Sequence, residues 1–236
     1  LHEKGFAEIV VADSHGPMVN LLIDNLPEYV EVIRGNPRPT SMVTGVDECD
    51  VALFIGYHAK MGTAKSTFDH TYSGGSIHNV KVNDIVASEF LLNAYVAGHY
   101  KVPVILVAGD YQLLEDDVKV HTPWAEAVQL KKSLSRISAR SPSMSKINTE
   151  LKEAVRRAVK KFKDKKTKPI SVKDVTMRVT FRNSLFADVA ELLPIIIRIN
   201  GLTVEYKAKD MVEAYKIFEH LAIAAGGINA RLQNLR

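Results

Sequence analysis

Three short apolar runs constrain this chain more than any other feature: AEIVVAD (7–13), DVALFIGYH (50–58) and VPVILVAGD (102–110). Each is rich in Val, Ile or Leu, and each stops at a polar residue or a glycine. Runs of this length and content read as strands buried on both faces, the habit of parallel sheets. Between the second and third, ASEFLLNAYVAGHY (87–100) is apolar at helical spacing, and Ser88 is placed to cap it. Strand, helix and strand at this spacing form a βαβ unit. The expected fold class is therefore α/β, a mostly parallel sheet flanked by helices, with a smaller C-terminal α+β subdomain.

The weaker alternation of SIHNVKVND (76–84) predicts a pair of short strands on an edge. Residues 144–166 predict a long Lys-rich helix, and Pro169 makes a boundary after it. Beyond that come VTMRVTF, a helix around SLFADVAELL, the run IIIRI, Asn200-Gly201, LTVEYKA and a last helix from Asp210. Asn-Gly between two alternating runs signals a hairpin. These segments divide the chain into an α/β domain over 1–167 and a small α+β subdomain over 168–236. LHEKGFAEIVVAD reads as a last helical turn, a stop at Gly5 and a strand, so the first domain is expected to be N-terminally incomplete in this numbering.

Composition narrows the function classes. Hydrophobic residues make up 46% and charged residues 25%, the balance of a globular protein. No apolar stretch reaches the roughly 18–20 residues that span a bilayer, so no membrane partner is expected. The single cysteine, Cys49, excludes an intrachain disulfide, and a cytoplasmic location is the default. A net charge of +4 is too mild to imply nucleic acid. The lysines at 160, 161, 163, 165, 166 and 168 could form a polyanion-binding stripe, but cations also suit a helix C-terminus. A solvated helix end is the expected reading.

Ligands of an open parallel sheet collect beyond the carboxyl ends of its strands. That rule selects His15 after the first run, His58 at the end of the second and Asp110 at the end of the third. Two histidines at one sheet edge suit zinc, although each alone is more often a structural or loop histidine. Glu89 opens the following helix and is either a third ligand or a first-turn carboxylate favoured by the helix dipole. Asp13 and Ser14 flank His15 and are candidate supports for it; a simple Asx turn explains Asp13 as well. Between the strand ends lies AKMGTAKSTFDHTYSGGS (59–76), expected to be a mobile loop, with His70 near its middle as a candidate general acid–base.

The segments VADSHG, GYHAK, the histidine-bearing loop, VND…SEFLLNAYVAG and VPVILVAGD resemble the zinc-dependent D-aminopeptidase family, in that order and over most of the chain. The resemblance continues through SRISARSPS and AKDMVEAY. It implies a centre of two zinc ions in which His15, His58 and Glu89 are ligands and His70 is the catalytic residue. It also implies a short-peptide substrate and a ring-like homo-oligomer. The family's Asp-x-Glu-Gly motif, which supplies further ligands, does not occur before His15 in this numbering. The function expected is hydrolysis of short peptides with D-configured N-termini by a metal-activated water. A related amidohydrolase with another amide substrate and a non-catalytic polyanion-binding protein are the alternatives.

Overall fold

The run at 102–110 forms the most deeply buried strand of the molecule. In the computed structural model, which describes residues 1–233, β6 (Val104–Asp110) is buried at every position. It is flanked in parallel by β3 (Ala52–Tyr57) and β7 (Glu126–Ser135), and β7 turns back into β8 (Ser138–Arg140). The parallel sheet predicted from the apolar runs is thus present, with order β3-β6-β7-β8. The first run behaves differently. β1 (Ile9–Ala12) pairs in parallel with β2 (Val30–Ile33) as a separate two-stranded sheet, and all four of its residues are only half-buried. His15 and His58 therefore follow strands of two different sheets among the described residues, not one sheet edge as expected.

A second sheet has the order β10-β11-β9-β4-β5. Here β4 (Ile77–Val82) and β5 (Ile85–Val86) form the expected edge hairpin, and β4 pairs antiparallel with β9 (Val175–Phe181). β11 (Thr203–Ala208) lies on the other side of β9, joined to β10 (Ile197–Arg198) through the predicted Asn200-Gly201 turn. This sheet draws strands from both sides of residue 167.

Helices cover the sheets where their sequences dictate. α1 (Glu89–His99) is buried along nearly its whole length, which is why it reads as apolar all round. Its N-cap Ser88 accepts from the Leu91 amide at 3.2 Å. Directly after β6, α2 (Tyr111–Leu113), a π-helical turn (Leu114–Val118) and α3 (Lys119–His121) run on as one helical segment. α4 (Met144–Lys163) lays Ala154, Ala158 and Val159 against Ile105, Leu106, Ala108 and Val128 of the parallel sheet. α5 (Ser184–Ala190) and α6 (Met211–Gln233) pack on the second sheet.

The lysines at the end of α4 are largely paired. Lys161 contacts Glu126 at 2.7 Å and the Trp124 carbonyl, Lys160 and Lys166 reach Asp164, and Lys163 bonds to the Lys4 carbonyl. No helix among the described residues is long and apolar enough to cross a membrane.

Candidate metal centre

Three of the predicted site residues converge. His58, His70 and Glu89 each offer a ligand atom, and these atoms all lie within 4.8 Å of one another. Among the described residues this is the one such group of His, Cys, Asp or Glu. His58 stands immediately after β3, Glu89 is the first residue of α1, and His70 hangs from the loop between β3 and β4. The two imidazole centroids are 4.5 Å apart.

The distances suit an ion better than direct contact. His58 Nε2 lies 3.7 Å from Glu89 Oε2, and His70 Nε2 lies 3.6 Å from Glu89 Oε1. Both are too long for hydrogen bonds. They match the edge of roughly 3.4 Å that follows from donors about 2.1 Å from a tetrahedral zinc. The tautomer of His58 is set as well. Its Nδ1 lies 3.2 Å from the Ala59 carbonyl, which can only accept, so the proton is on Nδ1 and the Nε2 lone pair faces the carboxylate. Two imidazoles and a carboxylate held apart in this way are a donor set that fits zinc.

Glu89 is buried, 7% exposed, and burial raises its pKa against the opposing pull of His58, His70 and His15. Its Oε1 accepts the Tyr72 amide at 2.8 Å, which fixes the carboxylate plane. His70 has its pKa lowered by burial, only partly offset by Glu89, so its ring is neutral at pH 7. His15 acts on the charge of Glu89 from outside the group of three.

Asp13 and Ser14 make no hydrogen bond to the His15 ring among the described residues. The Asp13 carboxylate accepts from the amides of Asn20 and Leu21 and from the Asn20 side chain, with a longer bond from the His15 amide at 3.4 Å. Ser14 Oγ bonds to the carbonyls of Ala12 and Met42 at 3.1 and 3.0 Å. Both hold the backbone that carries His15.

The loop over 59–76, expected to be mobile, is pinned. Ser66, Thr67, Asp69 and Thr71 are buried. Asp69 receives the Gly62 amide at 2.9 Å and Arg136 at 2.7 Å, while Ser66 and Ser133 both bond to Asp110. Thr67 bonds to Ser133, and Thr71 to the Ala87 carbonyl. Lys65, Phe68 and Tyr72 take positive φ values of 50°, 58° and 65°, conformations that hold only where surroundings enforce them. Asp110, picked out at its strand end, thus serves the loop and not an ion. Tyr72, Asp69, Ser133 and Arg136 escaped the sequence reading because their partners are distant along the chain.

A family model described as D-aminopeptidase, of the peptidase M55 type, matches residues 1–220. This chain belongs to the D-aminopeptidase family. A D-aminopeptidase of Bacillus subtilis (strain 168) is 36% identical over 216 residues, covering 90% of this chain and 77% of the relative. The solved structure of the Zn-dependent D-aminopeptidase DppA from Bacillus subtilis, described as a self-compartmentalizing protease, superposes with a TM-score of 0.89 at 32% identity. That match covers 95% of this chain and 81% of the other. In this D-aminopeptidase-family chain the three donors thus sit in the fold that the solved relative also has.

Proposed function

We propose that this chain is a zinc-dependent aminopeptidase that hydrolyses short peptides with D-configured N-terminal residues. The observation that carries the reading is the convergence of His58, His70 and Glu89 at spacings that fit an ion. The membership of the chain in the D-aminopeptidase family supports it, and so does the zinc dependence of DppA. His15, His58 and Glu89 would hold the metal, with His70 beside them as the catalytic residue and not a ligand, and two zinc ions per subunit are proposed. Zinc bound there supplies a Lewis acid for the scissile carbonyl and a water of lowered pKa.

His58 presents a fixed lone pair at Nε2, because the Ala59 carbonyl accepts a hydrogen bond from its Nδ1–H. Glu89 brings a buried negative charge that needs a cation to compensate it. His70 is neutral and carries one N–H, so it can donate to the oxygen that gains charge as the carbonyl is attacked. It can equally pass a proton to the leaving amine. Asp13 and Ser14 keep the backbone of His15 in place.

By analogy with the self-compartmentalizing relative, we assign the chain to a ring-like homo-oligomer. Exposed apolar residues such as Leu192 and Ile197 support such an assembly. The unpaired Cys49 is consistent with a cytoplasmic location. The paired lysines of α4 speak against the polyanion-binding alternative.

The test compares matched peptides with D-Ala and L-Ala N-termini, with zinc and after chelation. Turnover of the D-peptide alone, abolished by chelator and restored by zinc, is the expected result. Equal rates on both peptides would favour the related amidohydrolase. Chelator-insensitive turnover would overturn the zinc reading.

A further inference from the structure

His15, His58, His70 and Glu89 come from four separate segments, and one buried hydroxyl lies where those segments meet. Tyr215 of α6 is fully buried, and its hydroxyl donates to Asn93 Oδ1 at 2.7 Å. The same hydroxyl is hydrogen-bonded to that of Tyr72. Asn93 stands one turn after Glu89 on α1, and its Nδ2 donates to the Tyr57 hydroxyl at 2.9 Å. Tyr57 immediately precedes His58. Tyr72 follows His70 by two residues, and its amide holds Glu89. Asn93 Nδ2 also lies 3.5 Å from the Met42 sulfur, and the Met42 carbonyl accepts from Ser14, the neighbour of His15.

We propose that Tyr215 is a positioning residue of the active site, its hydroxyl locking together the strand end, loop and helix that carry His58, His70 and Glu89. The C-terminal helix is then part of the catalytic apparatus. The inference rests on the zinc aminopeptidase reading for its activity readout only. Its physical basis is the cost of leaving a buried polar group unpaired. Asn93 and Tyr215 are both 0% exposed, so neither can replace a lost partner with bulk water, and the network holds one arrangement. Burial also keeps the Tyr215 and Tyr57 phenols protonated, so Tyr215 stays a donor to Asn93 while Tyr57 accepts as a neutral hydroxyl.

The experiment compares Tyr215→Phe with Tyr206→Phe in the full chain. Tyr206 is an equally buried phenol on β11, and its hydroxyl donates at 2.7 Å to the carbonyl of Ala214, next to Tyr215 on α6 but outside the hydrogen bonds that join Asn93, Tyr57 and Tyr72. Tyr215→Phe loses its hydrogen bonds to Asn93 and Tyr72 and Tyr206→Phe its one bond to Ala214, so both are expected to melt earlier. Only Tyr215→Phe is expected to lower kcat, by roughly 10–100-fold with KM within about threefold, since a small misplacement acts on the transition state. It is also expected to weaken zinc about tenfold in competition with a chromophoric chelator, as losing an outer-shell support does. In the metal-free chain, the ring NMR signals of His58 and His70 are expected to move in Tyr215→Phe and not in Tyr206→Phe.

Equal behaviour of the two variants in zinc affinity and in the histidine spectra would overturn the proposal. Should Tyr215→Phe not fold, Tyr72→Phe removes the hydroxyl on the other side of the same bond, with the same outcomes expected. A wild-type chain that binds zinc without cleaving D-peptides refutes the functional reading, and the affinity and NMR comparisons still decide the role of Tyr215.

Discussion

Glu89 does two jobs that a single substitution can separate. Its Oε1 accepts the Tyr72 amide, and its charge faces His58 and His70. Glu89→Gln keeps a carbonyl oxygen for the Tyr72 amide and removes the charge. Zinc affinity is expected to fall by more than the ~10–100-fold typical of an outer-shell loss, with kcat/KM falling in parallel. The melting temperature of the metal-free chain is expected not to drop, because the variant no longer buries a carboxylate without its cation. A clear drop in metal-free melting temperature, with zinc binding intact, would make Glu89 a structural residue only. At this scale the sequence was informative where chemistry follows from position in an element. His58 at a strand end and Glu89 at a helix start were both legible in this way. The roles of Asp13 and Ser14 were not, since their partners Asn20, Leu21 and Met42 are chosen by the fold of the loop.

The elements show the same division. β6, α1 and α4 could be read because their hydrophobic periods and caps are local. The fixed state of the 59–76 loop could not, because Asp110, Ser133 and Arg136 lie about 40 to 70 residues further along the chain. β2, the α2–α3 segment and β7 also escaped notice, the middle one because its acidic turn at 115–117 masks the buried Leu113, Leu114 and Val118. Ser133 tests the loop. Its hydroxyl donates to Asp110 at 2.6 Å and accepts the Thr67 amide at 2.9 Å. Ser133→Ala leaves that buried amide unpaired and is expected to cost about 1–3 kcal/mol. Amide exchange should rise across residues 66–72, and unchanged exchange there would show that the loop does not depend on this anchor. Glu126, the first residue of β7 and paired with Arg157 and Lys161 of α4, carries a pH dependence. Burial raises its pKa, but Lys161 and Arg157 outweigh this and hold it below its ordinary value. A depressed carboxylate contributes stability that is fully present above its unfolded pKa of about 4.3 and is lost as pH falls through the folded one. Glu126→Gln is therefore expected to melt earlier than wild type at pH 7, by about 1 kcal/mol, with the gap closing on acidification. A gap that persists in acid would assign the loss to packing.

At the scale of the whole molecule, the segments before and after residue 167 are stitched together. β4, before it, buries Ile77, Val80 and Val82 in the sheet completed by β9, after it. Gly98 on α1 approaches the later segment so closely that a Cβ there would stand 1.6 Å from the Ile170 carbonyl. Only glycine permits that contact. Uncovering three fully buried aliphatic side chains would cost on the order of 5–9 kcal/mol at ~1.5–3 kcal/mol each. A domain has only about 5–15 kcal/mol of net stability to lose. Residues 1–167 produced alone carry every candidate site residue, His15, His58, His70 and Glu89, yet they lack β9 and Tyr215. They are expected to show no cooperative thermal transition and no tight zinc binding, with both recovered when 168–236 is co-expressed as a separate chain. A cooperative melt of 1–167 with tight zinc binding would mean that this segment folds and assembles its site unaided. The second sheet would then be an addition to the catalytic unit and not part of its frame.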